Sequence, residues 1–320
     1  MRDQEGEIWG IILAAGDGQR LAAVTVDACG RVVPKQYCAL VGTDTLLEQT
    51  VARLAAIVPR RRILCVVAEA HRRHWQGGVG GLPPENIVVQ PENRGTAAGL
   101  LLPLLEIARR DPAARVIATP ADHFVADERR LTRSLLEALT AIEGPADRLL
   151  LLGIAPDAPV GDYGWIVAQD GNEKRPAAVK RFVEKPGDAE ARRIASAGGV
   201  WNSFLMVGRL RRYLNLFERR RPELLRDLRR ARFGGASALA EAYRGLAPSD
   251  FSRDLLQGSE AELGLIVVPA CGWTDLGTPE RLASLSVPSP GRAGVRAAQP
   301  WPGRRLRPAS TAPVRAAAGA

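Results

Sequence analysis

Short apolar runs of strand length alternate with helix-periodic segments along the first half of this chain, and that alternation limits the fold more than any other feature. Strands are expected at Trp9–Ala14, Arg62–Ala68, Asn86–Val89, Arg115–Thr119 and Leu149–Ile154. Helices are expected at Leu46–Val58, from a threonine cap near Thr96 through "TAAGLLLPLLEIARR" with Pro103 inside it, and at Glu128–Ile142. Strands that must be joined through helices pair in parallel and are covered on both faces. The fold class expected is therefore α/β, a Rossmann-like, mainly parallel sheet flanked by helices. The second half reads as mixed. It has strands at Trp165–Ala168, Val179–Glu184, Trp201–Val207 and Leu265–Val268, and helices at Ala189–Ala197, Leu210–Glu218 and Ala238–Tyr243.

Composition removes several function classes. With 46% hydrophobic residues over 320, the chain has ample material for a core. It has no long apolar run and no signal-like N-terminal segment, so it reads as a soluble cytoplasmic protein without a membrane role. Cys29, Cys38, Cys65 and Cys271 form no CxxC pair, which argues against a disulfide framework or a structural zinc site. His71 and His74 have no further ligand nearby and read as a solvated helix face. The net charge of +9 suggests nucleic acid only until it is located. Six arginines and no acid lie in residues 286–320, which leaves +3 for the rest. That Pro/Ala/Arg-rich tail reads as disordered, and the folded unit is placed within residues 1–285. Only four of the 44 basic residues are lysines: Lys35, Lys174, Lys180 and Lys185. Lysine is thus expected where a compact ammonium is needed and arginine's planar fork is not.

The first strand runs into "AAGDGQRL", where Gly16 and Gly18 permit a tight turn and expose backbone N–H groups to phosphate oxygens. A dinucleotide fingerprint would need a third glycine at position 21, and Leu21 is there; a Walker loop would need Gly-Lys-Ser/Thr, which this chain lacks. The turn is followed by Arg20 and, across a longer link, by Pro34-Lys35-Gln36.

These residues resemble the signature of sugar-1-phosphate nucleotidyltransferases, Leu-x-x-Gly-x-Gly-x-Arg-Leu followed by Pro-Lys. The chain matches it at Leu13, Gly16, Gly18, Arg20, Leu21, Pro34 and Lys35. "QPENRGTAAG", "TPADHF", "YGWI", "VKRFVEKP", "WNSF" and "GWTDLGTPERL" follow in the order of that family. "ADH", "EKP" and the Arg-Gly-Thr-Ala stretch are most similar to mannose-1-phosphate guanylyltransferases. The chain departs from the pattern at Ala23, in the longer Arg20–Lys35 link with Cys29-Gly30, and at Phe204, where the family usually has glycine.

The resemblance implies attack of a sugar-1-phosphate oxygen on the α-phosphorus of an NTP, with pyrophosphate leaving. The attacking oxygen is already anionic, so positioning and charge neutralisation replace general-base chemistry. By resemblance Arg20 and Lys35 clamp the triphosphate, Asp122 and Asp275 hold Mg²⁺, and Ala14, Ala15, Gly16, Gly18, Gln90, Arg94, Gly95 and Thr96 form the nucleotide side. Glu184 would accept sugar hydroxyls, Lys185 meet the sugar phosphate, Asn202 bond the hexose and Gly164 let backbone approach it. Plainer roles stand beside these: a surface arginine at Arg20, a helix cap at Asp275, a structural hydrogen bond at His123. GTP and mannose 1-phosphate are the expected substrates. A uridylyl-, thymidylyl- or cytidylyltransferase for another hexose 1-phosphate, or a non-catalytic nucleotide-sugar-binding regulator, remains open. So does a homo-oligomer; nucleic acid is not an expected partner.

Overall fold

The computed structural model describes residues 6–144, 147–169, 176–283 and 285. The tail expected over 286–320, and Lys174, lie outside the described residues. The strands are β1 (Ile8–Ala14), β2 (Ile63–Ala68), β3 (Ile87–Gln90), β4 (Arg115–Pro120), β5 (Leu149–Ile154), β6 (Gly164–Ala168), β7 (Ala177–Glu184), β8 (Val200–Arg209) and β9 (Leu263–Val268). Among the described residues they make one sheet in the order β3-β2-β1-β4-β8-β5-β9-β7-β6, with a further β8–β6 pairing.

Parallel pairing holds for β3-β2-β1-β4 and for β5 with β9. Strand β8 enters antiparallel between β4 and β5, and β6 and β7 pair antiparallel to their neighbours. The parallel character expected from the alternation is therefore concentrated in the first four strands. The remainder is the mixed region.

The helices are α1 (Leu46–Ala55), α2 (Arg72–Trp75), α3 (Gly95–Arg110), α4 (Glu128–Ala141), α5 (Asp188–Ser196), α6 (Leu210–Arg220), α7 (Pro222–Phe233), α8 (Gly235–Gly245) and α9 (Pro279–Ala283). Every residue of β2 and of β5 is buried, as expected for strands covered on both faces. Alternate β1 residues serve the two layers. Ile12 and Ala14 pack with Leu47, Val51 and Leu54 of α1 and Leu131 and Leu135 of α4, whereas Trp9 and Ile11 pack with α3, α6 and α7. Each fully buried leucine or isoleucine in these layers contributes roughly 1.5–3 kcal/mol.

Local signals explain some element boundaries. Thr45 and Glu48 form a reciprocal capping box at the start of α1, which ends at Ala55, short of the Val58 that its periodicity predicts. Helix α7 escapes the periodicity reading because arginines crowd it. Pro222 nevertheless occupies its first turn, and Leu224, Leu225 and Leu228 supply the buried stripe. Thr96 is not the cap of α3: the helix begins at Gly95, and the Thr96 hydroxyl instead accepts the Phe251 N–H at 2.7 Å.

The parallel strands present their carboxyl ends on one side. There Ala15 and Gly16 follow β1, Gln90 ends β3, and Ala121 and Asp122 follow β4. The loop from Leu246 into a π-helical turn, Ser252–Leu256, closes over the start of α3. Ser249 N–H donates to Arg94 O and Ala97 N–H to Ser249 O, each at 3.0 Å. Gly95 has φ +85°, and a Cβ there would lie 2.3 Å from the Ser249 carbonyl oxygen, so no larger residue fits this junction.

Candidate active site

A cavity of about 450 Å³ lies at the carboxyl ends of the parallel strands. Its construction begins with the glycine turn. Gly18 adopts φ +63°, and its missing Cβ would come within 3.1 Å of the Lys35 backbone nitrogen, so the turn and the Pro34-Lys35 segment pack directly together. The Gln36 side-chain amide donates to Ala14 O at 2.9 Å and to Gly16 O at 2.8 Å, fixing the end of β1. Gly16 is different, because a Cβ there would meet nothing within 4 Å. Gly16 therefore borders the open space of the cavity.

Lys35 is 6% exposed, and its ammonium bridges two segments. It lies 3.0 Å from Asp122 Oδ2 and donates to the Asp275 carbonyl oxygen at 2.5 Å. A two-way backbone bridge between Phe124 and Thr274, at 2.9 and 3.0 Å, brings Asp122 and Asp275 into register. Burial alone would raise the Asp122 carboxyl, but the charge of Lys35 and its hydrogen bond hold it below the ordinary aspartate range.

Asp275 Oδ1 accepts from the Tyr163 hydroxyl and from Gly277 N–H at 2.9 Å, and its Oδ2 lies 3.5 Å from an Arg20 guanidinium nitrogen. Burial, with the Asp275 carboxylate beside it, pushes the Tyr163 phenol far above its usual range. Asp275 does not cap α9, which starts four residues later at Pro279. Arg20 reaches this carboxylate while its side chain stays 59% exposed beside the cavity.

The opposite wall comes from β6, β7 and β8. Gly164 opposes Glu184 in the sheet, and a Cβ on Gly164 would stand 2.6 Å from Glu184 Oε2 and 3.2 Å from Asn202 Cβ. Lys185 follows with φ +50°, its N–H bonded to Tyr163 O at 3.2 Å. Burial, with Asp250 nearby, pushes Glu184 up to about 7 despite Lys185 and Arg253. A carboxyl raised in the folded state makes the native protein bind the extra proton. Stability from this group is then greatest below about 4.5 and falls as pH rises towards about 7. We expect the unfolding free energy of the protein to drop between pH 5 and pH 8 by up to about 3 kcal/mol more than that of Glu184→Gln in urea titrations. Equal drops in both proteins would refute a raised Glu184.

Of the residues marked in the sequence, Ala15, Gly16, Arg20, Gln90, Gly95, Thr96, Asp122, Gly164, Glu184, Lys185, Asn202 and Asp275 line this one cavity. Ala14, Gly18 and Lys35 stand behind its surface as supports. Arg94 is not brought to the cavity, a correction to its expected place on the nucleotide side. Its guanidinium donates to Tyr243 O at 2.8 Å, Arg244 O at 3.2 Å and Glu92 at 2.6 Å, which ties this segment to the last turn of α8.

The two histidines of "AHRRHW" are also corrected, since neither lies on a solvated helix face. His71 is buried, with Nε2 3.2 Å from Asp17 of the glycine turn, and His74 stacks on Tyr37 at 5.2 Å. Sequence patterns do not mark Asp250 or Ser252 and give no role to Tyr163 or Gln36, yet all four also line the cavity. Gln36 and Tyr163 sit inside or beside the family motifs, while Asp250 and Ser252 reach the cavity only because their loop folds over α3.

Among the described residues no cluster of three His, Cys, Asp or Glu side chains could enclose a metal by itself. The donor set is nevertheless suited to Mg²⁺, which takes one or two carboxylates and completes its octahedron with phosphates and water. Asp122 and Asp275 offer hard oxygens to the same cavity, and Asp122 Oδ1 stands 3.7 Å from the His123 ring.

The family described as Nucleotidyl transferase matches residues 9–288. The xanthan biosynthesis protein XanB of Xanthomonas campestris pv. campestris is 31% identical over 285 residues, covering 86% of this chain and 59% of XanB. The mannose-1-phosphate guanylyltransferase ManC of Salmonella typhimurium is 30% identical over 314 residues, covering 90% of this chain and 61% of ManC. The chain thus spans about three-fifths of the length of the curated relatives it matches. A crystal structure described as mannose-1-phosphate geranyltransferase from Thermus thermophilus superposes with a TM-score of 0.73 at 28% identity, covering 84% of this chain and 76% of that one. With the match running from β1 through the Asp275 segment, this chain belongs to the nucleotidyl transferase family.

Proposed function

We propose that the chain transfers a nucleotidyl group from an NTP, GTP first among them, to a sugar 1-phosphate, mannose 1-phosphate first among them, releasing pyrophosphate. The observation that carries this reading is the Lys35 ammonium held between Asp122 and the Asp275 backbone, in a cavity whose opposite wall holds Glu184, Lys185 and Asn202. Such an arrangement has cationic and carboxylate groups at one end and a hydroxyl-binding, cation-bearing wall at the other. Guanosine and mannose are favoured by the activity in the name of ManC. With no helix among the described residues long and apolar enough to cross a membrane, and with an NTP as substrate, we place the protein in the cytoplasm.

In this reading the glycine turn offers backbone N–H groups to the triphosphate across the open space at Gly16, and Arg20 swings from Asp275 to the phosphates. Lys35 stabilises the charge that accumulates as the α-phosphorus is attacked. Mg²⁺, held by Asp122 and Asp275, would supply Lewis-acid neutralisation of the phosphate oxygens. Gln90 ends β3 with its side chain lining the cavity, and it is the group we assign to the base edge. Lys185 meets the acceptor phosphate, and Asn202 and Glu184 take its sugar hydroxyls, so that the phosphate oxygen is aimed at the α-phosphorus.

The test is pyrophosphate release from each of four NTPs against a small panel of sugar 1-phosphates with Mg²⁺. GTP with mannose 1-phosphate is expected to lead. Release from another pair would replace the substrates, and none from any pair would overturn the transferase reading.

A further inference from the structure

Phe204 stands at a backbone position that favours glycine. Its φ is +59°, in the left-handed region where a Cβ is unfavourable. The cause is a bulge in β8, where Asn202 pairs with Gly153 and Met206 with Leu151, so that four steps of β8 match two of β5. Three hydrogen bonds hold this bulge. Asn202 Oδ1 accepts Phe204 N–H at 3.1 Å, Ser203 Oγ accepts Leu205 N–H at 3.1 Å, and the Ser203 hydroxyl donates to Leu152 O at 2.5 Å. None of them uses the Phe204 side chain. The ring is therefore not what keeps the bulge in place.

The ring lines the cavity on the same wall as Asn202, Glu184 and Lys185, and its edge-on neighbour is Phe251, centroids 6.1 Å apart. A pyranose presents hydroxyls at its rim and C–H groups on its faces. Asn202 and Glu184 satisfy the rim, and an aromatic ring beside them offers the apolar surface the face requires. We propose that Phe204 is an acceptor-binding residue, packing against a C–H face of the pyranose 1-phosphate. This rests on the transferase reading above and adds a contact that the polar residues do not supply.

The test compares the full-length protein with Phe204→Gly and Phe204→Leu. It measures KM for each substrate, calorimetric Kd for mannose 1-phosphate and for glucose 1-phosphate, and the thermal midpoint. Phe204→Gly should raise KM and Kd for the acceptor about tenfold, leave the NTP KM unchanged, and leave the midpoint unchanged or higher because strain is relieved. Phe204→Leu, apolar but without a ring face, should fall between. An unchanged acceptor Kd in Phe204→Gly, or equal weakening of acceptor and NTP, would overturn the proposal. If the unsubstituted protein binds a sugar 1-phosphate but releases no pyrophosphate, the transferase reading fails alone and Kd still decides Phe204. Binding of neither sugar phosphate would overturn both.

Discussion

Asp122→Asn and Asp275→Asn are each expected to lower turnover by about three orders of magnitude while the protein stays folded. Neutralising a phosphoryl transfer through a carboxylate-held divalent cation is worth several kcal/mol, and about 1.4 kcal/mol corresponds to a factor of ten. Both side chains face one cavity, so in the proposed metal site either amide would replace one of two charged ligands with a neutral one. The two variants should differ in stability. Asp122→Asn loses the carboxylate facing the buried Lys35 ammonium, whereas Asp275 meets Lys35 through its backbone carbonyl, which the substitution keeps. Pyrophosphate release at saturating Mg²⁺, read with circular dichroism and thermal melting, checks this. Retention of turnover within tenfold by either folded variant would remove that residue from the metal site.

Lys35→Arg is expected to be the more damaging of two charge-conserving substitutions. Lys35 is lodged between Asp122, the Asp275 carbonyl and the packed glycine turn, and its side chain is 7% exposed. A longer planar guanidinium would have to push these segments apart, at about 1–3 kcal/mol of overpacking, and would misplace the charge. A lowered thermal midpoint and about a hundredfold loss of turnover should follow. Lys185 lines the cavity and is exposed, so Lys185→Arg should raise the KM for the sugar 1-phosphate up to about tenfold and spare that for NTP. Steady-state kinetics against both substrates separates the two. Unaltered kinetics and melting in Lys35→Arg would mean that the bridge is not needed in the working protein.

The departure at Phe204 and the misplacement of Arg94 have a common origin. Each motif is legible as a string of residue types, but the direction of a side chain depends on neighbours far along the chain. Arg94 turns to carbonyls at Tyr243 and Arg244, 149 and 150 residues away, and nothing near "ENRGT" announces them. Phe204 faces the cavity because β8 bulges against β5, a register shift set by pairing between strands. Likewise Asp250 and Ser252 join the site through a loop whose only local signature is polar.

Sequence by itself determined the α/β alternation, the strand-to-glycine turn at Gly16 and Gly18, and the acidic and lysine residues that gather at one cavity. These are local properties, in which periodicity sets burial and glycine permits the turn. Tertiary structure alone decided that β8 inserts antiparallel between β4 and β5, and that Lys35 bridges Asp122 to the Asp275 backbone. It alone decided that Tyr163 holds the second carboxylate. The last two contacts reach across 240 and 112 residues of chain. Their partners are chosen by which surfaces the folded sheet brings together, a property that no local pattern encodes.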